Sequence, residues 1–323
     1  MRWLASGSLL LLVVGLACAA DDKNPAYTDP KQAGPDFAVQ GEYRGQLGGD
    51  EWGAQVIALG DGKFDVVGFA GGLPGDGWQR GDKTNKGTGE LKGDVAEFKG
   101  ETWTGTIKDG VFSVTHDGEK VGDLKKVERK SPTLGAKPPE GATVLFDGTS
   151  ADAFENGKIV EGNLLGATNA VSKATFQDHT LHIEFRTPFM PKSRGQGRGN
   201  SGVYIHGRYE CQVLDSFGLD GKDNECGGIY SINKPIVNAC LPPLSWQTYD
   251  IEFTAARYEG GQKVKNGRVT IKHNGIVIHD DQELAHGTPG HIKEGPEPYG
   301  IFLQDHGNPV AFRNIWVVEK KGN

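Results

Sequence analysis

Residues 180–186 read TLHIEFR, and apolar and polar side chains alternate along them without a break. In an extended chain Leu181, Ile183 and Phe185 therefore point to one side, and the polar residues between them point to the other. The same two-residue period returns in residues 249–253 (YDIEF). Because no segment shows sustained helical periodicity, the second half of the chain is predicted to be a β-sandwich of short strands.

The first half of the chain is also predicted to be β-structure. Residues 55–59 and 64–69 are apolar runs separated by a glycine-containing turn, the pattern of a hairpin. Glycine, at 49 of 323 residues, is about twice its usual ~7% and falls at turn positions. We expect a small β meander or barrel in residues 37–128, a proline-rich linker in 129–142 and the sandwich in 143–319.

A glycine loop surrounds Trp78 in residues 71–78 (GGLPGDGW). It lacks the strand-then-helix setting of a phosphate-binding loop, so nucleotide binding is not supported. Two alternatives stay open: a binding loop, or a tryptophan that folds back over its own loop.

The N-terminus predicts export. Arg2 precedes a short apolar run and a small-residue cleavage site, so residues 1–19 are predicted to be a signal peptide and residues 20–36 a flexible leader. A lipoprotein signal with Cys18 as the modified residue is the alternative. No later segment is predicted to span a membrane. The mature chain is thus expected in the periplasm or outside the cell.

Charge and cysteine content narrow the function classes. The net charge is −7 and no block of Lys or Arg occurs, which argues against binding of nucleic acid or anionic membranes. The sequence beyond the predicted signal peptide has Cys211, Cys226 and Cys240, with no CxxC spacing. They can form one disulfide or remain buried thiols, and the pairing is left open.

Residues 198–216 (RGNSGVYIHGRYECQVLDS) form the densest polar stretch. If the stretch is extended, one parity and hence one sheet face carries the side chains of Tyr204, His206, Arg208, Glu210 and Gln212. Such a face can grip sugar hydroxyls and stack on a ring. The alternative is a solvated outer face whose charges pair with one another.

A second polar stretch, residues 299–307 (YGIFLQDHG), places Asp305 beside His306 at a predicted strand end. A neighbouring carboxylate can orient an imidazole and raise its basicity. His306 is therefore a candidate general base.

The motifs GNSGVYIHGRYECQVLDS, GGIYSI, the HNG turn and LQDHGNPVAFRNIWV occur in the order seen in 3-keto-disaccharide hydrolase domains. The chain resembles that family over residues 143–319. The resemblance implies a concanavalin-like jelly roll with a sugar site on one sheet. The loop in residues 218–226 departs from the pattern, and its acidic residues raise the alternative of bound calcium.

The resemblance implies an exported enzyme that cleaves 3-keto-glycosides or 3-keto-disaccharides by elimination and hydration. A base and an acid are needed, together with a positive group for the enolate. Either Glu210 or His306 is expected to be the base and the other the acid, with Arg313 or a divalent metal as the electrophile. The metal, if any, is unidentified; Glu210, Asp215 and His306 are of ligand type. The residues expected to position the sugar are Asn200, Tyr204, Gln212, Asp215, Trp246 and Gln304.

Two other function classes remain open at this level. Jelly rolls serve lectins as readily as enzymes, so a non-catalytic carbohydrate- or protein-binding module is the main alternative. A surface structural protein, with the N-terminal domain making the contacts, is the other. An acid–histidine pair favours the enzyme, because lectin faces need aromatic and amide groups only.

Overall fold

The computed structural model describes residues 24–320, so the predicted signal peptide lies outside the described residues. The prediction of an all-β chain is confirmed, with a barrel followed by a two-sheet sandwich. Within residues 24–320 the only α-helix is α1 (Gly34–Val39), beside the 3-10 turns Pro30–Gln32 and Gly195–Gly197. No helix in this part of the chain is long and apolar enough to cross a membrane.

Eight antiparallel strands close the barrel in the order β1-β10-β9-β8-β7-β6-β3-β2. A two-stranded pairing of β4 and β5 lies outside it. The ten strands are β1 (Gly41–Leu47), β2 (Asp50–Gly60), β3 (Lys63–Ala70), β4 (Leu73–Pro74), β5 (Gly77–Trp78), β6 (Thr84–Lys92), β7 (Val95–Gly100), β8 (Trp103–Lys108), β9 (Val111–His116) and β10 (Glu119–Val127).

Every second side chain of each strand points into the barrel, and these side chains fill it. Tyr43, Phe64, Phe98 and Phe112 are each at most 3% exposed and form its core. Helix α1 covers the end at which β2 finishes, and its C-terminal neighbour Gln40 accepts a hydrogen bond from the Ala58 amide at 3.0 Å. One end of the barrel is thereby closed.

The leader predicted to be flexible in residues 20–36 differs from the structure over its described part. Tyr27 and Phe189 exchange two backbone hydrogen bonds of 2.9 Å, and their rings lie 6.1 Å apart. Packing of these aromatic rings in the hydrophobic cluster of the barrel supplies the order that the polar composition of this segment does not reveal.

The sandwich has a large and a small sheet. The large sheet runs β13-β14-β25-β16-β19-β22-β23 with β11 paired to β25, the small sheet runs β12-β15-β24-β17-β18, and β20 pairs with β21 alone. The strands are β11 (Thr143–Phe146), β12 (Phe154–Glu155), β13 (Ile159–Val160), β14 (Leu164–Gly166), β15 (Ala170–Ser172), β16 (His179–Arg186), β17 (Ser201–Ile205), β18 (Tyr209–Val213), β19 (Gln247–Thr254), β20 (Arg257–Glu259), β21 (Gln262–Lys265), β22 (Gly267–His273), β23 (Ile276–Leu284), β24 (Phe302–Leu303) and β25 (Ala311–Glu319).

The core between the sheets follows the predicted alternation. Leu181, Ile183 and Phe185 are fully buried and pack in one cluster with Val203 and Cys211 of the small sheet. The polar residues between them on β16 therefore face away from the core, on the outer side of the large sheet.

The interdomain linker, predicted in residues 129–142, lies on that outer side. The Gly135 amide donates to Glu184 Oε1 at 2.6 Å. Asn314 donates to the same oxygen, and Arg313 Nε donates to Glu184 Oε2 at 2.7 Å. The linker is thus fastened to the sheet through a buried carboxylate.

His182 lies between two carboxylates at this attachment of the linker to the sheet. His182 Nδ1 lies 2.6 Å from Asp250 Oδ1, and its Nε2 lies 3.6 Å from Glu184 Oε1. Burial raises the pKa of Glu184, but hydrogen bonds from His182 and its other neighbours outweigh burial and lower the pKa to about 2. Glu184 is consequently ionised throughout the physiological pH range and is a structural group.

Barrel and sandwich share apolar packing. Ile57, Val67 and Phe69 point outward from the barrel and belong to the sandwich core cluster. Trp78 packs edge-on against Phe69 at 5.1 Å, which agrees with a tryptophan folded over its own loop. Arg80 donates to backbone carbonyls of the sandwich, among them Gly221 O and Pro235 O. The two domains therefore contact each other through apolar packing and directed hydrogen bonds.

The three cysteines of the described chain are buried and form no disulfide. Cys226 Sγ lies 3.2 Å from the Tyr249 hydroxyl. The three cysteines are therefore buried thiols, which is the second of the two alternatives predicted from the sequence.

Candidate active site

A hairpin positions the candidate site on the outer face of the small sheet. Tyr204 of β17 pairs with Glu210 of β18, and Gly202 pairs with Gln212. Paired residues project to the same side, so Tyr204, Glu210 and Gln212 share a face while the residues between them enter the core. The sequence predicted this common face.

The hairpin itself was not predicted, since the polar stretch was interpreted as one strand. His206 and Gly207 have φ of +55° and +60° and turn the chain. His206 is 2% exposed and packs against Phe253 at 5.4 Å, and Arg208 Nε donates to the Lys293 carbonyl. Neither side chain joins the face of Glu210.

Gly202 makes room for the Glu210 carboxyl group. A Cβ at position 202 would overlap Glu210 Oε1 and would lie 3.0 Å from Tyr204 Cε2. The carboxyl group therefore lies across the bare backbone of the neighbouring strand, and only glycine permits this placement.

Glu210 is 4% exposed, and its carboxyl group accepts a hydrogen bond from the Tyr204 hydroxyl at 3.0 Å. Burial raises the pKa of Glu210 to about 7, against the opposing effect of that hydrogen bond. A carboxyl group with this pKa exists in both protonation states near neutral pH. It can therefore accept or donate a proton in a reaction.

Tyr204 is itself fixed by three partners. Besides Glu210, its hydroxyl lies 3.1 Å from the Pro289 carbonyl, and Gln304 Nε2 donates to it at 3.2 Å. Burial and the neighbouring Glu210 raise the pKa of Tyr204 far above its ordinary value. The phenol thus remains neutral and orients the carboxyl group.

An amide cluster continues the face towards the surface. Gln212 Nε2 donates to Asn200 Oδ1 at 3.1 Å and to Gln196 Oε1 at 3.2 Å. Asn200 Nδ2 donates to the Gln196 carbonyl at 2.8 Å. Gln196 is exposed while Asn200 and Gln212 are buried, so amide groups lead from solvent towards Glu210.

Sequence reasoning missed Gln196, and it also missed His291 and Tyr230. The His291 ring lies edge-on to the Tyr204 ring, with 6.3 Å between centroids. The His291 ring stacks on Phe302 with 3.9 Å between centroids, and burial lowers the pKa of His291. Tyr230 is half-buried and its amide donates to the Glu210 carbonyl at 3.1 Å. Tyr230 belongs to the quoted motif GGIYSI, which was the available signal; His291 had none.

His306 lies in the loop after β24 and is exposed. The loop is attached to the site at both sides: the Gln304 amide donates to the Gly202 carbonyl at 3.0 Å, and Asn308 Oδ1 accepts from the Asn200 amide at 2.8 Å. His306 therefore lies at the rim of the same face, and the prediction of its catalytic role stays a prediction.

Arg313 and Trp246 are not brought to this face. Arg313 pairs with Glu184 on β16, on the outer side of the large sheet, and its guanidinium lies 3.9 Å from the centroid of the Trp246 ring. The whole sandwich core separates that side from Glu210. The expectation that Arg313 supplies the electrophile and Trp246 the sugar platform is corrected accordingly.

Asp215 is also placed elsewhere. It forms a buried ion pair of 2.7 Å with Arg198, and Arg198 donates to the Ala58 carbonyl of the barrel. Asp215 thus stabilises the domain contact and is unavailable to a sugar on the face of Glu210.

The suggested metal ligands do not converge. Asp215 is occupied by its ion pair, and within residues 24–320 no group of three His, Cys, Asp or Glu side chains could hold a metal ion. In the loop considered for calcium, Glu225 Oε2 accepts from the amides of Gly221 and Lys222, which indicates a self-contained loop.

A family model and one solved structure agree with the fold and the motifs. A family model described as 3-keto-alpha-glucoside-1,2-lyase-like domain matches residues 141–318. A candidate glycosyl hydrolase from Parabacteroides distasonis of known structure is 30% identical, with a TM-score of 0.51 over 56% of this chain and 85% of that one. Another from the same organism is 19% identical, with a TM-score of 0.42 over 56% of this chain and 95% of that one. No curated protein matches the sequence.

Proposed function

This chain belongs to the 3-keto-alpha-glucoside-1,2-lyase-like domain family, and from that premise we propose that it is a carbohydrate-active enzyme that cleaves 3-keto glycosides. The observation that carries the proposal is Glu210: a buried carboxyl group with a pKa raised to about 7, set beside a cluster of amide groups. A binding module needs the amides but has no use for such a carboxyl group.

The chemistry follows from the ketone. A carbonyl at C3 acidifies the hydrogen at C2, so a base can remove that proton and leave an enolate. The enolate re-forms the ketone as the C1–O bond breaks, and the departing oxygen takes up a proton. Water then adds across the C1–C2 double bond, its oxygen to C1 and its proton to C2, so the overall change is hydrolysis.

Glu210 in its ionised form removes the C2 proton, and Tyr204 positions its carboxyl group. Glu210 then releases that proton to solvent, so the proton that C2 regains on hydration comes from water. The amides of Asn200, Gln212 and Gln304 bind sugar hydroxyls and donate to the developing enolate oxygen. This replaces Arg313 in that role.

His306 donates the proton to the leaving oxygen. Its exposed position at the rim suits a leaving group that projects towards solvent. An exposed imidazole also exchanges protons with water readily, so the acid is regenerated between turnovers.

The proposal is tested by turnover of a 3-keto-glucoside beside its unoxidised parent glucoside, with and without a chelator. Cleavage of the keto sugar alone is the expected result. Cleavage of both sugars at similar rates would make the protein an ordinary glycosidase, which uses two carboxylates. Binding of the keto sugar without cleavage of either would instead make it a lectin-like module. Loss of turnover with the chelator would add a metal to the scheme.

Export is part of the proposal. The sequence of residues 1–19 supports it. Mass spectrometry of the protein purified from its native cells should give a mature chain that lacks this segment. An intact N-terminus, or a lipidated Cys18, would contradict cleavage after residue 19.

A further inference from the structure

The barrel is closed at one end only. Helix α1 and Gln40 cover the end of β2, whereas at the opposite end a cavity of about 300 Å³ opens between the strands. Eight-stranded barrels can hold one small ligand, and mouths of barrels are common ligand sites. This open end, lined among others by Trp52, Asn85 and Trp103, is called the barrel mouth below.

An inward-facing glycine, Gly68, makes space in the barrel mouth. Gly68 pairs with Ala54 and with Asn85, so these three positions face the interior at one level. A Cβ on Gly68 would meet only ordinary contacts, the nearest atoms lying 3.6–3.8 Å away. Strands normally favour larger residues, so glycine here leaves an open space that packing alone does not require.

Two tryptophans stand at the sides of this space. Trp52 lies beside Gly68, its Cζ3 being 3.7 Å from the position of a Cβ there, and Trp103 lies over Gly87. The Trp103 ring also packs edge-on against Phe112 at 6.1 Å. Both indoles are only half-buried, so each presents part of its ring to the cavity.

Polar groups in the barrel mouth lack partners within the protein. Neither indole N–H, nor the side-chain amide of Asn85, makes a hydrogen bond to another described residue. The rim carries the exposed Asp50 and His116. Apolar ring faces combined with unpaired donors suit a ligand that has both C–H faces and hydroxyl groups.

The cavity is shallow, because Phe64, Phe98 and Phe112 fill the barrel beneath it. A fatty acyl chain needs a deep apolar channel, and the filled core excludes one. A single sugar ring needs only the mouth, and about 300 Å³ is at the small end of ligand pockets.

We propose that the barrel mouth is a second carbohydrate-binding site, separate from Glu210, that holds one pyranose ring of a neutral sugar between Trp52 and Trp103. The proposal does not depend on the chemistry assigned to the sandwich domain. It gives the N-terminal domain a function: to hold a carbohydrate that the active site does not cleave.

The test is titration of the protein with glucose and with cellobiose, followed by tryptophan fluorescence, with 8-anilinonaphthalene sulfonate as an apolar probe. Trp78, Trp246 and Trp316 also contribute to the fluorescence, so the signal is assigned to the barrel mouth only where Trp52→Ala and Gly68→Val alter it and Thr106→Val does not. We expect saturable binding of at least one sugar. Binding should weaken at least tenfold in Trp52→Ala, which removes one of the two rings. It should weaken by the same factor in Gly68→Val, because the added side chain enters the cavity.

Thr106→Val is the matched control, since Thr106 is exposed on the outside of β8, and it should bind as the unmodified protein does. Circular dichroism verifies that each variant is folded, and Gly68→Val keeps the test valid if Trp52→Ala does not fold. Absence of saturable sugar binding, binding of the apolar probe alone, or equal sugar affinity in Gly68→Val would overturn the proposal.

Discussion

Replacement of Glu210 by glutamine should strongly reduce turnover and at the same time stabilise the protein at alkaline pH. Burial raises the pKa of Glu210 from its ordinary value of 4.5 to about 7. Between those two values the folded protein holds a proton that the unfolded chain has lost, so stability falls as pH rises. At about 1.4 kcal/mol per pH unit, the ionised carboxylate costs the native state about 3 kcal/mol. Glutamine keeps the shape and never ionises.

Two assays follow from this. Turnover of a 3-keto-glucoside should fall by about two to four orders of magnitude, the usual contribution of a general base. Urea unfolding should give Glu210→Gln a stability advantage that is about 3 kcal/mol larger at about pH 8.5 than at about pH 4, where the carboxyl group is mostly protonated in both states. Glu155→Gln is the matched control, because Glu155 lies in the same sheet and is exposed.

The two results refute different steps. Turnover within tenfold of the unmodified enzyme would remove Glu210 as the base. A stability difference that does not change with pH would contradict the burial of an ionisable carboxyl group, even if turnover were lost. A change of the same size in Glu155→Gln would show that the effect is not specific to the site.

Three further variants test the surroundings. Tyr204→Phe removes the hydrogen bond that lowers the pKa of Glu210. Because a hydrogen bond to a charged group contributes about 1.5 kcal/mol, the pH midpoint of the rise in kcat/KM should move upward by about one unit. An unchanged midpoint would exclude Tyr204 as the positioning group. Gly202→Ala should displace the Glu210 carboxyl group and lower turnover at least tenfold. Gly295→Ala is the control and should not lower turnover, because a Cβ there meets nothing closer than 3.4 Å. Equal turnover in both variants would contradict the role of Gly202. Arg313→Gln should retain turnover within about threefold. It should lower the urea midpoint, because Arg313 pairs with Glu184, the carboxylate that attaches the linker to the sheet. Loss of turnover in the folded variant would show that Arg313 takes part in catalysis.

Periodicity predicted the sandwich because burial on one face of a strand imposes a two-residue repeat. Leu181, Ile183 and Phe185 therefore appear in the core as expected. Periodicity also placed Tyr204 and Glu210 on one face, although it treated the two residues as part of a single strand, whereas they lie in the two strands of a hairpin. The turn between them preserves parity, so one strand and a hairpin predict the same face for these two residues.

The remaining assignments depend on which sheet a strand joins, and no local pattern contains that information. Arg313 and Glu210 belong to two motifs of the same family resemblance, yet pairing of β25 with β16 puts Arg313 on the far side of the sandwich. Gln196 reaches the site from a loop without periodicity. The closure of the barrel by β1 and β10 joins segments about 80 residues apart, beyond the range of turn and strand propensities.

The most direct test of the central claim is turnover of a 3-keto-glucoside in D₂O, with the released sugar analysed for deuterium at C2 and the same sugar incubated without enzyme as the control. Proton removal by Glu210 followed by hydration predicts deuterium at C2 in step with turnover and above the control. Released sugar that keeps its original hydrogen at C2 would show that the glycosidic bond breaks without an enolate, and would contradict the proposed mechanism.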